Sequence, residues 1–168
     1  MRLILLFLFS YSVSLPDTKE CRELMDASVE NKAVAQKFYD RLKTVKETDL
    51  PVLVGFRAMS EFLLCKHVVN PFSKLSHFNK GRDLLENVIK KDSANPELRL
   101  FRLSTQSNVP ALLKYNDAIA RDKKALISWL AHNKSKDTAD VVLHKRIKTY
   151  LLINKYCTAG EKTLIKTL

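Results

Sequence analysis

Residues 92–112 read DSANPELRLFRLSTQSNVPAL. Asn95-Pro96-Glu97 is a helix start: the asparagine side chain can accept a bond from an orphaned first-turn amide. Proline suits the first turn because its missing N–H would go unpaired there. From Pro96 onward, Leu98, Leu100, Phe101 and Leu103 cover most of a helix's circumference. One narrow polar stripe is left, made of Arg99, Arg102 and Gln106 at spacings of three and four. A helix so nearly encircled by apolar side chains must be packed by other helices on several sides.

The same start recurs along the chain. Asp49-Leu50-Pro51, Asn70-Pro71 and Asn108-Val109-Pro110 repeat it, and Asp137-Thr138 is a weaker version. Apolar residues between these marks follow helical spacing and predict helices over 18–30, 32–46, 51–68, 73–91, 96–106, 110–132 and 137–157. In 110–132, Leu112, Tyr115, Ile119, Leu126 and Leu130 share one side. In 137–157, Leu143, Ile147, Tyr150 and Cys157 face inward, and Gly160 follows as an expected C-terminal stop. Three glycines in 168 residues are few for a sheet-rich fold with tight turns. About seven helices, short links and no strand pattern predict an all-α single domain over residues 15–168, built of stacked helical hairpins.

Residues 54–96 place small and large side chains alternately across two helices, at Gly55, Ala58, Phe62, Gly81, Leu84 and Leu85, and close with NVIKKDSANPELR. This hairpin loosely resembles a tetratricopeptide repeat and implies a TPR-like or α-solenoid-like stack. The family's Trp-Leu-Gly-Tyr signature is incomplete, and no repeat period of about 34 residues runs along the chain. A broader resemblance rests on Asn95-Pro96-Glu97-Leu98-Arg99 and on Asn108-Val109-Pro110-Ala111-Leu112-Leu113-Lys114-Tyr115. These elements are similar to a family of exported, uncharacterised bacterial all-helical proteins, over about residues 30–135. That resemblance implies a fold and a compartment and no activity.

Residues 1–14, MRLILLFLFSYSVS, begin with Arg2, continue with an unbroken apolar run from Leu3 to Phe9 and end in small residues at Ser12-Val13-Ser14. This is the pattern of a secretory signal peptide. The run is too short to span a bilayer, which takes about 20 apolar residues. Cleavage near Ser14 would leave a periplasmic or secreted chain without a transmembrane segment. Export would put Cys21, Cys65 and Cys157 in an oxidising compartment. Their odd number and wide spacing match neither a disulfide framework nor a zinc site. Cys65 reads as a small buried hydrophobe, and a Cys21–Cys157 bridge tying the two ends stands as an alternative.

Catalytic chemistry is not written in this sequence. No two of His67, His77, His132 and His144 share a helical face, and none has a neighbouring carboxylate to orient it. Ala159-Gly160-Glu161-Lys162-Thr163 lacks the first glycine and the preceding strand of a phosphate loop. No catalytic residue, metal or cofactor is therefore expected. Charge is the one conspicuous global feature, a formal net of +11, with eight positive and three negative side chains in residues 134–168. His144, Lys145, Lys148 and Lys155 would form a basic face on the last long helix, suited to an anionic envelope surface. Export and the lack of interleaved aromatics argue against nucleic acid.

Two readings of the Arg99/Arg102/Gln106 stripe follow. As wiring, it pairs with acids on a neighbouring helix, with Glu61 and Glu86 as candidates, because a buried charge needs a partner. As a site, it lines a concave surface and holds a carboxylate or phosphate, with Tyr115 and Asn116 as neighbours. The expected function is a non-catalytic binding or scaffolding role toward an envelope protein or peptide, with binding of an anionic surface through the basic last long helix as the alternative and an enzyme assembled from distant residues, without a recognisable motif, as the third.

Overall fold

The computed structural model describes residues 15–133 and 138–168, with side chains left aside at 138–140. The leader-like segment and Asp137 lie outside the described residues. Among those described there are eight α-helices and no strand. They are α1 (Thr18–Ser28), α2 (Lys32–Leu42), α3 (Pro51–His67), α4 (Pro71–Lys91), α5 (Pro96–Asn108), α6 (Ile119–His132), α7 (Thr138–Ile153) and α8 (Ala159–Thr167). The all-α expectation is met.

The Asx-proline starts work as the sequence implies at two places. Asn70 accepts from the amides of Phe72 and Ser73 at 2.9 and 3.2 Å, and Asn95 from those of Glu97 and Leu98 at 3.0 and 3.3 Å. Asn31 and Asp17 cap α2 and α1 in the same way without a proline. At α3 the cap position is Leu50, which has no side-chain bond to give, and Asp49 instead accepts from the Lys46 amide.

Two expected helices are different in the structure. Residues 110–132 do not form one helix: Asn108 is still inside α5, where its side-chain amide donates to the Ser104 carbonyl at 2.8 Å. Pro110 opens only a 3₁₀ turn, Ala111–Leu113, which ends at Lys114 in the left-handed region with φ 48°. Helix α6 begins at Ile119, so Leu112 lies 88% exposed while Tyr115 is buried. Residues 137–157 likewise end early, at Ile153, and Gly160 does not stop that helix. It lies in the first turn of α8, behind a capping box in which Thr158 and Glu161 each bond the other's backbone amide.

The helices share two apolar cores joined through α5. Leu98 and Phe101 belong to the first, with residues of α1 to α4. Leu100 and Leu103 belong to the second, with residues of α6, α7 and α8. Burying each such side chain is worth about 1.5–3 kcal/mol, so this central helix fastens both halves. In the α3–α4 hairpin, a Cβ added to Gly81 would lie 3.0 Å from the Ala58 carbonyl and 3.1 Å from the Phe62 ring. One added to Gly55 would overlap Leu98. These are the small positions picked out in the sequence, and they set how closely α3 approaches α4 and α5.

Ion pairs tie distant segments across these cores. Arg22 on α1 donates two hydrogen bonds of 2.7 Å to Glu97 at the start of α5. Arg146 on α7 holds Asp26 on α1 in the same bidentate fashion, at 2.6 and 2.7 Å. The bond from Asp26, with burial working against it and the carboxylate charge adding to it, keeps the Arg146 guanidinium above its ordinary pKa. All three cysteines are free, so the Cys21–Cys157 bridge is not formed. Cys21 sits in the first core and Cys157 in the second.

Candidate functional site

The polar stripe on α5 is turned inward. Arg102 donates from Nε and Nη2 to both oxygens of Asp122 on α6, at 2.6 and 2.8 Å, and from Nη1 to Glu86 on α4 at 2.8 Å. Arg99 donates to the same Asp122 at 2.8 Å. The Arg102 side chain is 4% exposed and Asp122 is 0% exposed, so the pair is withdrawn from water. Burial pulls the Arg102 pKa down, but the bonds and charge of Asp122 and Glu86 outweigh it and hold the guanidinium above its usual range. Glu86 also accepts from the Tyr115 hydroxyl at 2.7 Å. Burial first, and that carboxylate second, push the phenol's pKa well up.

Gln106 completes the arrangement. Its side-chain amide donates to Asp117 and its carbonyl accepts from the Ala118 amide, both at 3.0 Å, which fixes the entry to α6. The structure therefore brings Arg99, Arg102 and Tyr115 into one network with Asp122 and Glu86 that joins α4, α5 and α6, while Gln106 bonds separately to Asp117 and Ala118 and Asn116 is exposed. Glu86 is the anticipated partner. Glu61 is not: it is buried against His77 on α4, whose Nδ1 lies 2.5 Å away. Folding thus supplies one histidine with the orienting carboxylate that the linear sequence lacks.

The residues of the expected basic face have separate surroundings. Lys145 is exposed on α7, whereas Lys148 donates to the Lys166 carbonyl at the end of α8 at 3.1 Å. Lys155 lies beyond α7, its ammonium 5.3 Å from the centre of the Tyr156 ring. His144 is half-buried with its ring 6.0 Å from that of Trp129. Among the described residues, no group of three or more histidines, cysteines or acids could hold a metal ion. No described helix is long and apolar enough to cross a membrane.

What the chain leaves open is an apolar groove. Its narrower arm, about 450 Å³, lies between α1, α3, α5 and α7 and includes Met25, Leu100 and Tyr150. Its wider arm, about 870 Å³, lies between α3, α4, the end of α5 and the 3₁₀ turn, and includes Phe62, Cys65, Phe78 and Leu113. Val29, Met59, Leu63 and Ser104 line both arms, so the two hollows adjoin. Leu75 of α4 and Leu112 of the 3₁₀ turn line the wider arm with exposed apolar side chains, at 48% and 88%. Cys65 borders the wider arm half-buried, and that burial raises its thiol pKa.

The periodicity of single helices does not reveal this groove. One signal was present: α3 carries Phe56, Met59, Phe62, Leu63 and Leu64 around most of its girth, more than one hairpin partner can cover. Comparison with protein-family models, with curated proteins and with solved structures found no match.

Proposed function

We propose that this chain is an exported, non-catalytic binding protein that takes an apolar segment of a protein partner into the groove between α3, α4, α5 and α7. The observation that carries the reading is the pair of adjoining hollows, walled mostly by apolar side chains and sharing Val29, Met59, Leu63 and the small Ser104. Adjoining apolar hollows of this size on a chain with 28% charged residues support a docking role. Export rests on the leader-like residues 1–14 alone. The stripe on α5 supports the reading indirectly, because Arg102 and Glu86 tie α4 and α5, which both line the groove, to each other.

Photocrosslinking tests the reading. A photoreactive phenylalanine at Leu75 or Ile153, one in each arm, is expected to capture a discrete protein in the compartment where the chain resides. The same label at exposed Lys90, on a different part of α4, is expected to capture nothing in common with it. Capture of the same species from all three positions, or of none from the groove, would contradict a protein-binding groove.

A further inference from the structure

Each wall of the groove is a stripe at helical spacing. On α3 it is Met59, Phe62, Leu63 and Lys66, and on α4 it is Pro71, Lys74, Leu75 and Phe78. On α7 it is Arg146, Thr149, Tyr150 and Ile153. All three follow the i, i+3, i+4, i+7 pattern of a face that packs against another helix. Across them on α5 stands Ser104, too small to fill the space between. Helical ridges beside a small residue make the kind of slot that the helix-in-groove mode of recognition uses.

The charges that line the groove are one-sided. Lys66, Lys74, Lys145 and Arg146 stand against a single carboxylate, Asp26, which Arg146 already holds. Lys66 is engaged with the Val29 carbonyl and Glu30. Lys74 and Lys145 are exposed, one in each arm, and neither has an ion-pair partner among the described residues. A second copy of this chain would bring the same lysines and a net +11 against them.

We infer that the occupant is an acidic amphipathic helix of a partner protein, its apolar stripe on the groove floor and its carboxylates meeting Lys74 and Lys145. This rests on the groove reading and adds the partner's chemistry to it. Such pairs at the rim govern selectivity and encounter more than raw affinity.

The probes are two fluorescein-labelled peptides of about 18 residues, or about five helical turns. They share a leucine stripe at i, i+3, i+4, i+7 and differ in carrying either glutamates or lysines beside it. Fluorescence anisotropy with the purified protein is expected to show the glutamate peptide binding at least ~10-fold tighter at about 0.15 M salt, with a smaller margin as salt screens the rim. Lys74→Glu/Lys145→Glu changes only exposed side chains, and is expected to reverse the preference. Ser104→Trp, which fills the floor, is expected to weaken both peptides. Equal affinity for the two peptides, each lost with Ser104→Trp, would overturn the acidic partner while leaving an apolar groove. No binding of either peptide, with binding instead to phosphatidylglycerol vesicles, would overturn the acidic helix and the protein-binding reading together. Should Ser104→Trp fail to fold by circular dichroism, the charge reversal decides alone: an unchanged preference overturns the proposal.

Discussion

Asp122 accepts three hydrogen bonds from two arginines at a position without solvent. Removing one partner of such a pair leaves buried charge uncompensated, which costs more than the intact pair contributes. Asp122→Ala is therefore expected to lower stability by about 3–5 kcal/mol, measured by urea unfolding followed by circular dichroism. Arg102→Glu should be at least as damaging, since it sets a third carboxylate beside Asp122 and Glu86. An effect below about 1 kcal/mol in both variants would mean that the network is solvated. The arginine stripe and Glu86 were legible in the sequence, because three-and-four spacing on a mostly apolar helix marks a polar seam. Asp122 was not. Its position depends on where α6 starts, and that start is set by Gln106, a residue on another helix.

At the scale of elements, the two departures from the expected helices are both decided by caps. Lys114 closes the 3₁₀ turn with φ 48°, a conformation that costs a side-chain-bearing residue about 1–2 kcal/mol. Lys114→Gly is expected to raise stability by up to about 1 kcal/mol, read as a higher melting temperature, whereas a loss would show that the lysine side chain matters there. The α8 capping box was legible as Thr158-x-x-Glu161, but a glycine two residues into it carries the usual signal of a helix stop. Lys123 donates to Glu161 at 2.8 Å. That bond first, and the Thr158 amide next, hold the carboxyl below its ordinary 4.5. A carboxyl depressed in the folded state stabilises fully above its unfolded value and loses that contribution as pH falls through its folded value. Glu161→Ala should therefore cost about 1 kcal/mol at neutral pH. Its difference from the parent chain should shrink in acid below 4.5, as denaturation at a series of pH values would show. A difference constant with pH would mean that Glu161 contributes packing and no charge.

In the whole molecule, α5 joins two apolar cores, and the groove has α3 and α5 along both arms, α4 on the wider one and α7 on the narrower. Helix class was readable because each helix carries its own periodicity and start signals. The groove was not, because it is a relation among helices far apart in the chain, visible only once Met59, Ser104 and Tyr150 lie around one space. Binding there can be followed in the unaltered protein through its cysteines. Cys21 and Cys157 are buried, and burial, with Glu20 and Asp17 nearby, pushes the Cys21 thiol up to about 12. Cys65 is half-buried on the groove wall. The most direct measurement is the rate of iodoacetamide alkylation at each cysteine, by peptide mass mapping, with and without a saturating glutamate-flanked helical peptide. Cys65 is expected to react first in the free protein and to slow at least ~10-fold when the peptide is bound, while Cys21 and Cys157 stay unreactive in both states. Bound peptide with an unchanged rate at Cys65 would place the partner elsewhere and contradict the groove as the binding site.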